Sequence, residues 1–276
     1  MLKLMYITNQ PELAGIAEQA GVDRVFVDLE WIGKAERQGG MDTVQSRHTI
    51  EDVERIRTAI SRAELLVRVN PIHEAGKDRP GSGAEIDRVV KAGADLIMLP
   101  FFHTVQEAAA FLKLVGGRAR TVLLLETAEA AEQVEELVRL PGLDEVYIGL
   151  NDLSLSLGKR FLFEPLADGT VERLCRRIQE VGLPYGFGGI AAPGGGAVPA
   201  ERIIREHYRL GSSRVILSRS FYRPGEPFDS AEARAVFQQG VAAIRQVEAE
   251  CQTHADFFLH NMRCLRQAIQ SAAGSL

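Results

Sequence analysis

The chain has 276 residues, of which 46% are hydrophobic and 25% are charged, a composition typical of a folded globular protein. This excludes a disordered chain, a collagen-like chain and a small scaffold held together by disulfides. The formal net charge of −5 leaves no basic surplus to neutralise phosphates, so we expect no nucleic-acid partner. No stretch approaches the roughly 18 apolar residues of a membrane span, and the three cysteines form no close pair. We therefore expect a cytoplasmic protein without a membrane partner.

Eight short apolar runs alternate with amphipathic stretches along the first 225 residues. Most of the runs are nearly continuous in Val, Ile, Leu and Phe, as expected for strands that are buried on both faces. The predicted strands are Leu4–Thr8, Arg24–Glu30, Leu65–Asn70, Leu96–Phe102, Thr121–Glu126, Glu145–Leu150, Tyr185–Ile190 and Arg214–Phe221. The predicted helices between them include Pro11–Ala20, Ile50–Ala63, Ala84–Ala92, Val105–Val115, Ala128–Val138 and Val171–Val181. Eight such units predict an α/β protein, a closed (β/α)8 TIM barrel.

An open doubly wound sheet is the alternative architecture. That fold commonly carries a glycine-rich turn after its first strand, whereas this chain has Asn9, Gln10 and Pro11 at that place. The strand count and the missing glycine fingerprint both favour the barrel.

The pattern divides the chain into a barrel domain of residues 1–247 and a C-terminal helical extension of residues 248–276. The stretch Ala231–Val247 is predicted to be the last helix of the barrel. The extension has apolar residues at helical spacing, among them Leu265 and Ile269. Two interpretations stay open: a helix packed on its own barrel, or an arm that packs on a neighbouring subunit.

Two carboxylates follow adjacent predicted strands. In a (β/α)8 barrel the active site lies where the strands end, so Glu126 and Asp152 are expected at the same end of the barrel. Two carboxylates, together with waters and a substrate oxygen, suit a hard divalent cation such as Mg²⁺ or Mn²⁺. The alternative is that each residue only belongs to the start of the next helix, where Thr127 is a candidate cap.

Arg68 lies near the end of a predicted apolar strand. The alternation of a barrel strand turns either Arg68 or its neighbours inward, and a buried guanidinium requires an anionic partner. That partner is a substrate carboxylate, or else Asp28 or Glu30 through a salt bridge. Asp28 and Glu30 are also predicted to orient water around the metal.

His48 and a glycine-rich loop complete the set of candidate features. His48 is either a general base or a surface histidine that precedes the helix cap at Thr49. The loop Gly188–Gly196 is either a segment that approaches a phosphate closely or a plain connecting loop.

Several motifs together resemble one family in their order and spacing. They are Phe26-Val27-Asp28-Leu29-Glu30, Val67-Arg68-Val69-Asn70-Pro71, Ala92-Gly93-Ala94-Asp95, Leu125-Glu126-Thr127 and Ile148-Gly149-Leu150-Asn151-Asp152-Leu153-Ser154. Over about residues 3–225 the chain resembles the HpcH/HpaI aldolase and citrate lyase family. The resemblance implies a (β/α)8 barrel, a bound Mg²⁺, Mn²⁺ or Co²⁺ ion, and homo-oligomers such as hexamers (trimers of dimers) with exchanged C-terminal helices.

The resemblance also implies roles for individual residues. The metal-binding positions of the family match Glu126 and Asp152, and the arginine that holds the substrate carboxylate and the enolate matches Arg68. We further predict that the residues joining strand 6 to Asp152 contact the substrate; these are Gly149, Leu150 and Asn151. Asp28 and Glu30 match the acidic positions after strand 2.

Two positions depart from the family pattern. Pyruvate aldolases of the family usually carry a histidine where this chain has Trp31, and often a glutamine where it has Leu124. The group that moves the proton is therefore open, and His48 is a candidate to replace the missing histidine from an enlarged loop, Gly33–Gln38, that would cover the site.

These observations predict a metal-dependent carbon–carbon lyase, a class II aldolase that acts on a 2-oxo acid such as pyruvate or oxaloacetate with an aldehyde partner. No lysine ends a predicted strand, which argues against a Schiff-base aldolase. Three alternatives remain: an enzyme like citrate synthase or citrate lyase that uses an acyl thioester, a phosphate-binding barrel isomerase, and a non-catalytic binding barrel.

Overall fold

The computed structural model of the protein describes residues 1–34, 48–77, 79–219, 221–225, 227–253 and 257–274. Within them, eight parallel strands close into a barrel in which every strand pairs with its neighbours in sequence and β1 pairs with β8. The strands are β1 (Lys3–Ile7), β2 (Arg24–Asp28), β3 (Glu64–Arg68), β4 (Leu96–Leu99), β5 (Arg120–Leu125), β6 (Glu145–Ile148), β7 (Tyr185–Ile190) and β8 (Arg214–Leu217). The predicted (β/α)8 fold is confirmed.

Helices join the strands across the outside of the barrel. They are α1 (Pro11–Gln19), α2 (Ile50–Ala59), α3 (Ser82–Lys91), α4 (Val105–Val115), α5 (Ala128–Glu132), α6 (Val134–Leu137), α7 (Leu150–Ser156), α8 (Glu164–Ala167), α9 (Thr170–Glu180), α10 (Ala200–Arg209), α11 (Ser230–Thr253) and α12 (Phe257–Gly274). Thr49 begins α2 and Thr104 begins α4, each in a capping box with the acidic residue three positions later. Among the helices of the described residues, none is long and apolar enough to cross a membrane.

Residues that point into the barrel alternate with outward-facing ones along the strands, apart from a register shift in β7 between Gly186 and Gly189. The middle of the barrel is an apolar layer that includes Met5, Phe26, Leu66, Met98, Val122, Leu124 and Tyr147. Two positions beyond Phe26 and Leu66 along their strands lie Asp28 and Arg68, which are paired in register. Period-two alternation therefore places both polar side chains at the upper, carboxyl end of the barrel interior.

The lower end of the barrel is closed by charged side chains. Arg24 is almost fully buried and donates to both carboxylate oxygens of Glu145 at 2.7 Å and to Glu64 at 2.6 Å. Arg120 and Arg214 complete the network through Glu64 and Glu145. The buried charges named here are paired with opposite charges, so these side chains stabilise the barrel. Active sites of (β/α)8 barrels lie at the opposite, carboxyl end of the strands.

The C-terminal helices pack on the barrel of the same chain. Helix α11 runs through the predicted boundary at residue 247, and α12 contacts α10 and α8. The face of α12 that carries Asn261, Leu265 and Ile269 is buried there, whereas Phe257 and Leu259 are exposed.

A buried histidine makes the stability of the fold depend on pH. His207 is fully buried, stacks on Phe187 at a centroid distance of 3.8 Å, and shares a 2.8 Å hydrogen bond through Nδ1 with Ser212. Burial lowers the pKa of His207 to about 3. Because the unfolded chain takes up this proton near pH 6.5 and the folded chain does not, stability falls as the pH drops from about 6.5 towards 3.

We expect the free energy of unfolding to decrease by about 2 kcal/mol between pH 7 and pH 5 through His207 alone. Urea unfolding of the wild type and of His207→Phe at the two pH values measures this contribution, because the variant cannot take up the proton. His103→Gln, at a half-exposed position, is the control and should keep the wild-type difference. An equal pH difference in the wild type and His207→Phe would contradict the assignment.

Candidate active site

A cavity of about 740 Å³ opens at the carboxyl ends of the strands, a size typical of small-molecule sites. Eight of the nine predicted site residues line it: Asp28, His48, Arg68, Glu126, Gly149, Leu150, Asn151 and Asp152. The ninth, Glu30, is buried and pairs with Arg68 at 3.3 Å. The structure thus brings the predicted residues together, while their roles stay predictions.

Arg68 is held by two carboxylates from the neighbouring strand. Its Nε and Nη2 donate to the two oxygens of Asp28 at 2.8 and 2.7 Å, and Nη1 lies 3.3 Å from Glu30 Oε2. Burial alone would raise the pKa of Asp28, but Arg68 and then Lys34 more than offset it and hold that pKa well below its usual range. The salt bridge considered from the sequence is therefore present. A guanidinium has five N–H groups, so one hydrogen on each Nη is left without an acceptor among the described residues.

Lys34 is a site residue that the sequence analysis missed. Its side chain is 6% exposed and lines the cavity, with Nζ 2.7 Å from Asp28 Oδ2 and 3.4 Å from Glu30 Oε2. The sequence predicted that the loop Gly33–Gln38, which contains Lys34, covers the site, but it did not indicate that Lys34 pairs with Asp28 and Glu30. The rest of the predicted covering loop, residues 35–38, lies outside the described residues.

Glu126 is buried; one of its carboxylate oxygens accepts a backbone hydrogen bond and the other lies against a glycine. Its Oε1 accepts the backbone N–H of Phe101 at 3.0 Å, and Phe101 adopts a positive φ of 43° to donate it. A Cβ on Gly149 would lie 2.7 Å from Glu126 Oε2, so any larger residue there would displace the carboxylate. Burial, followed by the charges of Asp152 and Glu30, raises the pKa of Glu126 well above its usual value. A carboxylate in such surroundings is stabilised by a cation.

The donor set fits a hard divalent cation. Asp152 lies in the first turn of α7, half-buried, and its charge acts on Glu126. Among the described residues of this end of the cavity, Arg68 and Lys34 pair with Asp28 and Glu30. No group of three or more candidate metal ligands occurs among the described residues, so Glu126 and Asp152 would leave the remaining positions to water and substrate. Mg²⁺ commonly binds in that manner, through one or two carboxylates.

His48 faces the site with a defined tautomer. Its Nδ1 accepts the backbone N–H of Asp28 at 3.0 Å, so a neutral ring carries its proton on Nε2. Burial lowers the pKa of His48, and the charges of Asp28 and Asp52 offset this only in part. The ring is therefore neutral near pH 7, with Nε2–H as a hydrogen-bond donor.

Asn70 fixes the turn that follows β2. Its Oδ1 accepts the backbone N–H groups of Trp31 and Ile32, both at 3.0 Å, and its Nδ2 donates to Glu85 at 2.7 Å. Trp31, at the position where pyruvate aldolases of the resembled family carry a histidine, is 59% exposed and is not part of the described cavity wall. Asn70 thus positions Lys34 and the acidic pair indirectly, through the backbone.

The closed barrel defines the chain as a TIM-barrel protein, and its candidate site is the cavity at the carboxyl ends of the strands. The family model described as HpcH/HpaI aldolase/citrate lyase matches residues 3–161, and the chain belongs to this family. The family resemblance drawn from the motifs is therefore confirmed, and family members are enzymes that include aldolases, lyases and a thioesterase.

Two curated relatives differ in the activity their names state. The chain is 25% identical over 165 residues to a (3S)-malyl-CoA thioesterase of Cereibacter sphaeroides, covering 59% of this chain and 54% of the relative. It is 28% identical over 125 residues to a hydroxypyruvate/pyruvate aldolase of Sagittula stellata, covering 34% of this chain and 49% of the relative. The chain spans about half the length of the curated relatives it matches.

A solved structure supports the fold over most of the chain. The HpcH/HpaI aldolase from Desulfitobacterium hafniense superposes with a TM-score of 0.59 at 17% identity, covering 88% of this chain and 93% of the other. At this identity the likeness concerns the fold alone.

Proposed function

We propose that the protein is a divalent-metal-dependent carbon–carbon lyase that breaks or forms the bond next to the enolate of pyruvate or oxaloacetate, with an aldehyde as the second substrate. One observation carries the proposal: Glu126 and Arg68 line a single cavity, the former with one oxygen held by Phe101 and the latter with two N–H groups unused. The family membership and the similarity to a pyruvate aldolase support it.

The metal would be held by Glu126 and Asp152, and Mg²⁺, Mn²⁺ or Co²⁺ suits these oxygen ligands. When bound, it supplies Lewis-acid chemistry that stabilises negative charge on the keto oxygen of the substrate. Glu126 follows β5 and Asp152 follows β6 at the same end of the barrel, so an ion held by them would lie on the side of the cavity where Arg68 would bind the substrate.

Arg68 binds the 2-oxo acid and stabilises the charge that develops on it. Asp28 and Glu30 fix the plane of the guanidinium, so its two remaining N–H groups have defined directions before the substrate arrives. Donors that are oriented in advance cost no reorganisation when the enolate forms. Gly149, Leu150 and Asn151 form the neighbouring wall against which the substrate packs.

His48 contributes a hydrogen bond to the reacting oxygen of the aldehyde. A general base needs a ring nitrogen with an available lone pair, whereas Nδ1 already accepts the N–H of Asp28 and Nε2 carries the proton. We therefore propose that the Nε2–H of His48 polarises the aldehyde carbonyl in the synthetic direction, as a donor that stays neutral.

The exchange of the C3 protons of pyruvate tests the proposal without an aldehyde. In D₂O with Mg²⁺, we expect the methyl signal of pyruvate in the ¹H NMR spectrum to disappear with time, because water accepts a C3 proton when the enolate forms and D₂O returns a deuteron to C3. Heat-denatured protein is the control. A signal that persists with Mg²⁺ and also with Co²⁺ would contradict enolate formation.

Action on an acyl thioester is the second candidate, favoured by the similarity to a malyl-CoA thioesterase and by a cavity larger than pyruvate requires. In that case the same enolate attacks, or is released from, a thioester instead of an aldehyde. Release of free thiol from malyl-CoA, or from acetyl-CoA with oxaloacetate, would favour this candidate over the aldolase.

We also propose that α12, although it packs on its own barrel, acts with its exposed face as an arm that contacts a neighbouring subunit in a homo-oligomer of hexamer type. The exposed Phe257 and Leu259 on α12 supply apolar surface for a neighbouring subunit. Removal of residues 254–276 should reduce the number of subunits measured by light scattering, while Leu259→Ser alone should reduce it less. An unchanged number of subunits after truncation would contradict the arm.

A further inference from the structure

Lys34 is a buried cation of the cavity wall to which the proposed mechanism gives no role. Its side chain is 6% exposed, and its Nζ lies 2.7 Å from Asp28 Oδ2 and 3.4 Å from Glu30 Oε2. The same two carboxylates hold Arg68. A buried ammonium group is costly unless it is paired, so these two cations and two carboxylates form one connected group of charges.

The backbone places Lys34 in the site. Gly33 adopts a φ of 70°, in the left-handed region, and the backbone N–H of Lys34 donates to the carbonyl oxygen of Trp31 at 3.3 Å. The side chain of Asn70, which follows β3, accepts the backbone N–H groups of Trp31 and Ile32. This turn is thereby tied to the strand that carries Arg68, so the position of the ammonium group does not depend on its ion pairs alone.

Lys34 and Arg68 share one acceptor atom. Asp28 Oδ2 lies 2.7 Å from Nζ of Lys34 and 2.7 Å from Nη2 of Arg68. Because the charge of one carboxylate is divided between two cations, it offsets each of them only in part. Arg68 therefore keeps more positive charge for a ligand in the cavity than it would if Asp28 paired with Arg68 alone.

The charge of this group depends on Lys34 and is felt in the rest of the cavity. The two cations and two carboxylates sum to zero, and without Lys34 the sum would be −1. Burial raises the pKa of Glu126, the charge of Glu30 raises it further, and Arg68 lowers it. Burial likewise lowers the pKa of His48, and the charge of Lys34 lowers it further. A change of one charge in the group therefore acts on ligands of the cavity.

From this arrangement we infer that Lys34 is a positioning residue that sets the charge of the site: it offsets one of the carboxylates that hold Arg68, so that an anionic substrate can bind there. The inference rests on the proposed function for the identity of that substrate, a 2-oxo acid. It requires two effects of opposite sign, because one positive charge attracts the substrate carboxylate and repels a divalent cation. Loss of a lysine that only stabilised the fold would weaken the binding of both.

Lys34→Met separates these cases, because methionine keeps most of the length of the side chain without its charge. In calorimetric titrations we expect Mn²⁺ to bind the variant at least about threefold more tightly than the wild type. Pyruvate, titrated into the Mn²⁺-saturated protein, should bind at least about fivefold more weakly. Lys91→Met, at the exposed end of α3, makes the same change in net charge and should alter neither affinity by more than about twofold. Unchanged pyruvate binding, or Mn²⁺ binding that does not become tighter, would overturn the inference.

The Glu30→Gln background repeats the comparison without leaving an unbalanced carboxylate in the buried group. The amide oxygen of glutamine can still accept from Arg68 Nη1, while one negative charge is removed. Pyruvate affinity should therefore fall in the order Glu30→Gln, Lys34→Met/Glu30→Gln, Lys34→Met, and Mn²⁺ affinity should rise in that order. A double variant that binds pyruvate no better than Lys34→Met would show that the charge of Lys34 is not what matters and would overturn the inference.

The binding measurements keep the role of Lys34 distinguishable from the proposed function. They need no turnover, whereas the exchange of C3 protons does. The expected changes in affinity, found in a protein whose wild type does not exchange the C3 protons of pyruvate, would overturn the proposed function and support the role of Lys34. Exchange by the wild type, with equal pyruvate affinity in the wild type and Lys34→Met, would support the proposed function and overturn the role of Lys34.

Discussion

Glu126→Gln is expected to abolish turnover while leaving the barrel folded. The amide keeps the size of the side chain and its carbonyl oxygen can still accept the N–H of Phe101, but an NH₂ group replaces the oxygen beside Gly149 and cannot bind a cation. We expect activity to fall more than about a hundredfold, as when one electrostatic group of a transition state is lost. Asp152→Asn should behave in the same way.

Stability should move in the opposite direction from activity in Glu126→Gln. Because burial, Asp152 and Glu30 all disfavour the ionised form of Glu126, removing its charge should leave the melting temperature of the metal-free protein unchanged or higher. Calorimetric titration with Mn²⁺ measures the second consequence, weaker metal binding. Glu129→Gln, an exposed carboxylate nearby on α5, is the control. Wild-type Mn²⁺ affinity in both Glu126→Gln and Asp152→Asn would show that the ligands are wrongly assigned.

Arg68→Lys is expected to fold and to lose most of its turnover. Lysine retains the charge and can pair with Asp28, but one ammonium cannot bond both carboxylates in a plane and also present two N–H groups to the substrate. The loss of such a donor costs on the order of 3 kcal/mol, or about a hundredfold in rate.

The measurement for Arg68→Lys pairs oxaloacetate decarboxylation with the melting temperature of the same sample. If Arg68 served only as a salt bridge, the variant would keep its activity and show mainly a lower melting temperature. Arg57→Lys, which alters a surface ion pair with Asp95, is the matched control for the chemical change itself. Full activity in Arg68→Lys would remove Arg68 from the site.

The barrel could be predicted because its strands are local apolar runs whose alternation is regular. The alternation of the strand left two orientations for Arg68, inward or outward. The inward one is observed, and the parallel register of β2 and β3 places Arg68 beside Asp28. Strand ends were less well defined: β2 ends at Asp28 and β8 at Leu217, where the predicted strands continue to Glu30 and Phe221. The residues past these ends, Leu29–Glu30 and 218–221, were assigned to the strands from their position after an apolar run, and the sequence does not show where the ladder pairing stops.

The parts of the site that the sequence did not indicate depend on contacts between distant segments. Lys34 is oriented by Asp28 and Glu30, and the N–H of Phe101 is aimed at Glu126 through an unusual φ. His48 was predicted as a candidate base, but its tautomer follows from the backbone N–H of Asp28, which no sequence pattern reveals. These contacts join residues that are distant in the sequence, so they become visible only in the folded structure.

Oxaloacetate decarboxylation with and without EDTA tests most directly the claim that Glu126, Asp152 and Arg68 form a metal-dependent enolate site. The assay uses the wild-type protein and a substrate whose decarboxylation yields the enolate of pyruvate, and each rate is taken above that of the same metal and oxaloacetate without protein, because free divalent cations also decarboxylate oxaloacetate. We predict turnover with added Mg²⁺ or Mn²⁺, loss of turnover in excess EDTA, and recovery when Mn²⁺ is restored in excess over the chelator. Turnover that persists unchanged in EDTA, after dialysis against the chelator, would contradict the account.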